Sequence, residues 1–105
     1  MVFARKRFGQ HFLHDARIID RIVEAISPRP GDALVEIGPG HGALTAPLLE
    51  AAGRLDAIEI DRDLAATLRA RYSAQTLTLH GTDALRFDFA ALAAVRGQRL
   101  RMVGN

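Results

Sequence analysis

Glu36, the glycines Gly38, Gly40 and Gly42, then Glu59, Asp83 and Asn105 are the residues of this chain whose types and spacing can do chemistry. Glycine has no Cβ, so three of them within five positions let the backbone turn sharply and let a ligand lie almost on it. A carboxylate accepts several hydrogen bonds and donates none, which suits paired hydroxyls or a cationic group. Glu59 falls about twenty residues beyond the glycines, the interval at which an acidic residue ending a second strand grips ribose hydroxyls. Asp61 is the alternative for that role and could instead cap the next helix. Asp83 suits the amino group of an adenine, or else caps the segment that starts at Ala84. Asn105, beside Gly104, is open between a site residue and an ordinary turn residue.

Glu36 narrows the ligand. Dinucleotide sites favour G-x-G-x-x-G, which sets a helix N-terminus against a pyrophosphate. Here the spacing is G-x-G-x-G, with a carboxylate two positions before the first glycine. That carboxylate opposes a phosphate and tolerates a cationic amine or sulfonium. S-adenosylmethionine carries both.

Such groups need elements to hold them. Asp15 offers an N-cap, and Ile18, Ile19, Ile22, Val23 and Ile26 follow at helical spacing until Pro28 and Pro30 stop the helix near Ser27. Residues 33–37 read as a buried strand. The helix after the glycines runs to about Ala52, with Gly53 as its stop. A second strand spans 54–60. Leu64, Ala65, Leu68 and Tyr72 mark one face of the next helix, leaving Arg62, Arg69 and Arg71 mostly outside it. Residues 76–80 alternate as a third strand, 84–95 contain a loop and a helix, and 100–103 start a fourth strand. The pattern predicts an α/β fold, a parallel sheet with helices on both faces. All the candidate site residues then fall at strand carboxyl ends, where open sheets of this kind bind ligands. The pattern stops on its fourth strand, from which we expect the N-terminal part of a longer protein, with the remaining strands to follow.

Composition excludes several classes. The 105 residues suit one domain at most, with a hydrophobic fraction of 49% and no apolar run of membrane-spanning length. The absence of cysteine excludes disulfides and thiolate metal sites, and no metal is expected. The N-terminus lacks the apolar core of a secretory signal, so a cytoplasmic location is expected. Net charge is only +2, yet Arg5, Lys6 and Arg7 are consecutive, a basic arm suited to nucleic-acid phosphates or else a solvated terminus.

Phe8-Gly9-Gln10-His11-Phe12-Leu13, Val35-Glu36-Ile37-Gly38-Pro39-Gly40-His41-Gly42-Ala43-Leu44-Thr45, Glu59-Ile60-Asp61, Asp83-Ala84 and Gly104-Asn105 together resemble the ribosomal RNA adenine dimethyltransferases. The resemblance covers nearly the whole chain, and the Gln10-to-Leu13 arm is its most specific part. It implies a Rossmann-like class I S-adenosylmethionine-dependent methyltransferase fold, truncated here after the fourth strand. The arm, residues 1–14, would close over the cofactor site of a domain beginning at residue 15. His11 and Leu13 would contact S-adenosylmethionine, Gly38 its methionine part, Glu59 its ribose and Asp83 its adenine. Position 11 is often Asn in the family and is His here; a backbone contact survives that change. Asn105 would open the catalytic Asn-Leu-Pro-Tyr motif between cofactor and target base. The implied substrate is 16S rRNA in a small-subunit precursor, dimethylated on two adjacent adenosines near its 3′ end by a monomeric enzyme. The piece without the rest of that motif is expected to be inactive. Two rivals share the fold: a methyltransferase of the same family acting on large-subunit rRNA, and a non-catalytic RNA-binding or transcription factor. A nicotinamide-dependent oxidoreductase is disfavoured by the loop spacing and Glu36.

Overall fold

The computed structural model describes residues 15–104. Arg5, Lys6, Arg7, His11, Leu13 and Asn105 therefore lie outside the described residues. Helix α1 (Ala16–Ile26) begins where the Asp15 carboxylate accepts the Arg17 N–H at 2.9 Å. It ends at Ser27, which takes a left-handed conformation ahead of Pro28. Four strands follow, β1 (Leu34–Ile37), β2 (Leu55–Ile58), β3 (Leu77–His80) and β4 (Arg101–Gly104). Between them stand α2 (Thr45–Ala52), α3 (Arg62–Arg71), a short 3₁₀ turn (Ala84–Arg86) and α4 (Phe89–Arg96).

All strand pairs are parallel and the spatial order is β3-β2-β1-β4. The chain steps outward from β1 to β3 and then returns to the other side of β1. The order thus reverses between β1 and β4, which makes the carboxyl ends of those two strands the switch point where such sheets bind ligands.

Alternation within each strand assigns the two faces. Leu34, Leu55, Ala57 and Leu77 point into one core with Leu44, Leu48 and Leu68, and Ile19, Ile22, Val23 and Ile26 of α1 pack against it. Val35 and Ile58 point the other way, onto Leu92 of α4, with Phe87, Phe89 and Leu100 around them. Helices cover both faces, as the β-α alternation predicts.

The elements are shorter than their sequence patterns. Helix α2 starts at Thr45 because Gly42, at φ +88°, leaves the helical region just before it. Strand β2 ends at Ile58 since its neighbour β1 turns away at Gly38, leaving Ile60 without a ladder partner on that side. Asp88 accepts the Ala91 N–H at 2.9 Å and so delays α4 to Phe89.

Candidate cofactor-binding site

Two hydrogen bonds carry the sheet ladder one residue past its regular strands. The Gly38 N–H donates to the Ile58 carbonyl at 2.9 Å, and the Glu59 N–H to the His80 carbonyl at 3.0 Å. The first glycine of the turn and the acidic residue ending β2 are therefore held by the sheet itself.

Gly38, Gly40 and Gly42 have φ of 68°, 59° and 88°, a region that side chains rarely adopt. For Gly38 and Gly40 conformation is the visible requirement, as among the described residues no heavy atom lies within 4 Å of where a Cβ would sit. Gly42 is constrained twice, because its Cβ would meet Leu68 Cδ2 at 3.0 Å and an Arg71 guanidinium nitrogen at 3.1 Å.

Glu59 joins this turn directly. Its Oε1 accepts the Gly40 N–H at 3.1 Å and its Oε2 accepts the Asp61 N–H at 3.0 Å. With only 6% of the residue exposed, the carboxylate is fixed in orientation. Each oxygen retains a second lone pair, which is what vicinal hydroxyls require.

Glu36 lies beneath the turn, 3% exposed, on the strand face shared with Leu34. Thr45, fully buried at the start of α2, donates its hydroxyl to Glu36 Oε1 at 2.6 Å. Burial pushes the Glu36 carboxyl up to about 7; the Thr45 bond acts against this, and the nearby Glu59 charge adds to it. An acidic group so placed gains from any cation brought near it.

Asp83 stands at the turn after β3 on the same edge of the sheet. Its Oδ1 accepts the Leu85 N–H at 3.0 Å, so it does cap the 3₁₀ turn, and no hydrogen bond joins it to the glycine turn among the described residues. Asp61 takes the capping role too, accepting from Asp63 and Leu64 N–H at 2.9 and 3.1 Å. Through Oδ1 its carboxylate bonds the first turn of α3.

Two residues on this edge escaped the sequence reading. Ile60 is 68% exposed and Leu85 is 93% exposed, and each follows closely on an acidic candidate. The signal was present in Glu59-Ile60-Asp61, where an apolar residue lies between two acids just past the strand. Large exposed apolar side chains suit the faces of an aromatic ring. Asp56 was also missed, and it belongs to a separate cluster on the α4 face with Arg54, His80 and Arg96. Among the described residues no group of three or more candidate ligands is placed to hold a metal, and no helix is long and apolar enough to cross a membrane.

The site thus combines glycine backbone in the left-handed region, an oriented carboxylate and a buried acid. The fold is shared with solved methyltransferases. An RNA methyltransferase from Salinibacter ruber, in complex with S-adenosyl-L-homocysteine, superposes with a TM-score of 0.65 at 20% identity, over 86% of this chain and 74% of that one. The 23S rRNA methyltransferase ErmE gives 0.66 at 36% identity, over 73% of this chain and 32% of its own. These define a Rossmann-like methyltransferase fold. The profile described as Ribosomal RNA adenine dimethylase matches residues 1–105, and the chain belongs to that family. Ribosomal RNA small subunit methyltransferase A of a Burkholderia species is 66% identical over 105 residues, 97% of this chain and 38% of the relative. Its counterpart from Aromatoleum aromaticum is 59% identical over 102 residues, 97% and 37% respectively. The chain thus spans well under half the length of these relatives.

Proposed function

We propose that the chain is the cofactor-binding part of an S-adenosylmethionine-dependent enzyme that dimethylates two adjacent adenosines near the 3′ end of 16S rRNA. The observation that carries this reading is the Glu59 carboxylate, buried against the Gly40 amide at the carboxyl edge of the sheet. The small-subunit target is favoured over the large-subunit one by identity, 66% to the Burkholderia protein against 36% to ErmE.

Bound S-adenosylmethionine would supply an electrophilic methyl on a sulfonium. The residues of the chain do the rest. Glu59 accepts from the ribose hydroxyls, and the second oxygen of Asp83 accepts from the adenine amino group. Ile60 and Leu85 cover the ring, and the Gly38 backbone lies along the methionine part. Residues 1–14 close over the site, with His11 and Leu13 against the cofactor. Glu36 offsets the ligand's positive charge from below. The Asn105 side-chain oxygen accepts from the target amine, favouring a pyramidal nitrogen whose lone pair is available. Positioning and electrostatics carry the rate enhancement, without a strong general base. The target adenine must leave its stack to reach the site. Arg5, Lys6 and Arg7 contact rRNA phosphates, and the enzyme acts as a cytoplasmic monomer on the small-subunit precursor.

Titration calorimetry on the full-length protein tests the reading. S-adenosylmethionine should bind and NAD should not, and Glu59→Ala should cost on the order of 2 kcal/mol of cofactor affinity. NAD binding in preference would sink the proposal, and unaltered affinity in the variant would move the ribose role to Asp61. Tritiated methyl groups should enter small-subunit and not large-subunit rRNA. Replacing Arg5, Lys6 and Arg7 together should weaken RNA binding and flatten its salt dependence, and an unchanged slope would remove the arm from the interface.

A further inference from the structure

Helix α3 meets the Glu59-Ile60-Asp61 segment, the glycine turn and the end of β3, the last two through arginines to which the cofactor reading gives no role. Its N-cap, Asp61, directly follows the Glu59-Ile60 pair and bonds the first turn of the helix. Farther along, two exposed arginines reach back, Arg71 to the glycine turn and Arg69 to the end of β3 that leads into Gly81-Thr82-Asp83. Arg71 donates from Nη1 to the His41 carbonyl at 3.0 Å, across thirty positions of sequence. Arg69 donates from Nη2 to the Leu79 carbonyl at 3.2 Å.

Each guanidinium also lies over a glycine. Arg71 Nη1 is 3.1 Å from where a Cβ on Gly42 would sit, and Arg69 Nη2 is 3.3 Å from the same point on Gly81. Gly81 has no positive φ, and the Arg69 guanidinium is the group that a Cβ there would crowd. Close approach to a glycine and a bond to nearby backbone occur together in both cases, to His41 just before Gly42 and to Leu79 two residues before Gly81. A guanidinium carries five donors in a rigid fork, so it can bond a carbonyl while filling the space beside a glycine.

We infer that Arg71 and Arg69 are positioning residues for the cofactor: Arg71 holds the glycine turn under the methionine part, and Arg69 holds the turn that delivers Asp83 to the adenine. Neither touches the ligand. The inference rests on the cofactor reading above and divides that site into two separately supported halves. A bond from an exposed side chain contributes modestly, so each effect is a small multiple and not an abolition.

The division makes the test specific. Arg71→Met and Arg69→Met keep the aliphatic stem and remove the donors. In the full-length protein, Kd is measured for S-adenosylhomocysteine and for methylthioadenosine, which lacks the amino acid part. Arg71→Met should raise the Kd of S-adenosylhomocysteine roughly five-fold and leave that of methylthioadenosine nearly unchanged. Arg69→Met should raise both by a similar factor. Arg71→Lys, which restores one donor, should recover most of the affinity, and kcat at saturating cofactor should stay at the parent value. Equal losses for both ligands in the Arg71 variant, or a lowered melting temperature with both Kd values unchanged, would overturn the inference. Failure of the parent protein to bind either ligand would instead sink the cofactor reading itself.

Discussion

Glu36 and Asp56 stand on neighbouring strands, both shut off from solvent, on opposite faces of the sheet. Asp56 is paired in register beside Val35, with none of its surface exposed. Arg96 grips it through two bonds of 3.0 and 2.9 Å, Arg54 adds one at 3.0 Å and His80 another at 3.0 Å. Burial alone would raise its pKa, but the Arg96, Arg54 and His80 bonds overcome this and hold it down to about 2. Glu36 has a neutral hydroxyl and a like-charged neighbour, and burial pushes it up to about 7. Equal burial therefore has opposite outcomes, decided by what each carboxylate faces. Asp56 faces partners supplied by the chain and fastens α4 to the sheet. Glu36 faces the turn where the cofactor is proposed to lie, and a cation there would supply what the described residues do not. A buried acid whose charge the described residues leave uncompensated is the better marker of a binding site.

The largest expected effect breaks the Asp56 side of this contrast. Asp56→Asn leaves Arg96 and Arg54 half-buried without a counter-charge, and urea denaturation should show a loss on the order of 3 kcal/mol. A loss below about 1 kcal/mol would mean that solvent reaching the arginines screens the cluster. The acid limb provides a second reading of the same pair. Because the folded-state pKa is depressed, this stability is complete above about pH 4 and is lost as pH falls toward 2. The Asn variant should lose that portion of the acid transition.

A smaller effect sharpens the Glu36 side, and its sign is reversed. Here the folded-state pKa is raised, so the folded protein keeps a proton that the unfolded chain releases. Stability should fall as pH rises from 4.5 through about 7, then level off. The change between about pH 5 and pH 8 should be on the order of 2 kcal/mol, and Glu36→Gln should flatten it. A wild-type protein whose stability is level across that window would place a counter-charge beside Glu36.

Much of this was legible in one dimension. Asp15, the isoleucine spacing of α1 and Gly53 set helix boundaries by local rules, and the structure keeps them within a residue or two. The glycine turn and Glu59 were legible because positive φ and strand-end carboxylates are local requirements. Asp83 was read as open between adenine and a cap, and the cap is present. Ile60 and Leu85 were passed over because apolar residues next to a strand read as core, and only exposure distinguishes them. Asp56 gave little sign of its role. Arg54 is two positions away, but its partners His80 and Arg96 lie 24 and 40 positions away, and no spacing rule links those two to it.

By itself, then, the order of residues determined the β-α alternation, the parallel sheet, the left-handed glycine turn and the family resemblance carried by the Gln10-to-Leu13 arm. Each depends on backbone sterics or on hydrophobic period, which neighbours in sequence settle among themselves. Tertiary structure decided the strand order β3-β2-β1-β4 and with it the switch point beside β1. It also decided that Glu59 closes on Gly40, that Arg71 reaches His41, and that one buried acid is compensated while the other is not. Those outcomes depend on which distant side chains share a low-dielectric space. Only packing brings such groups together.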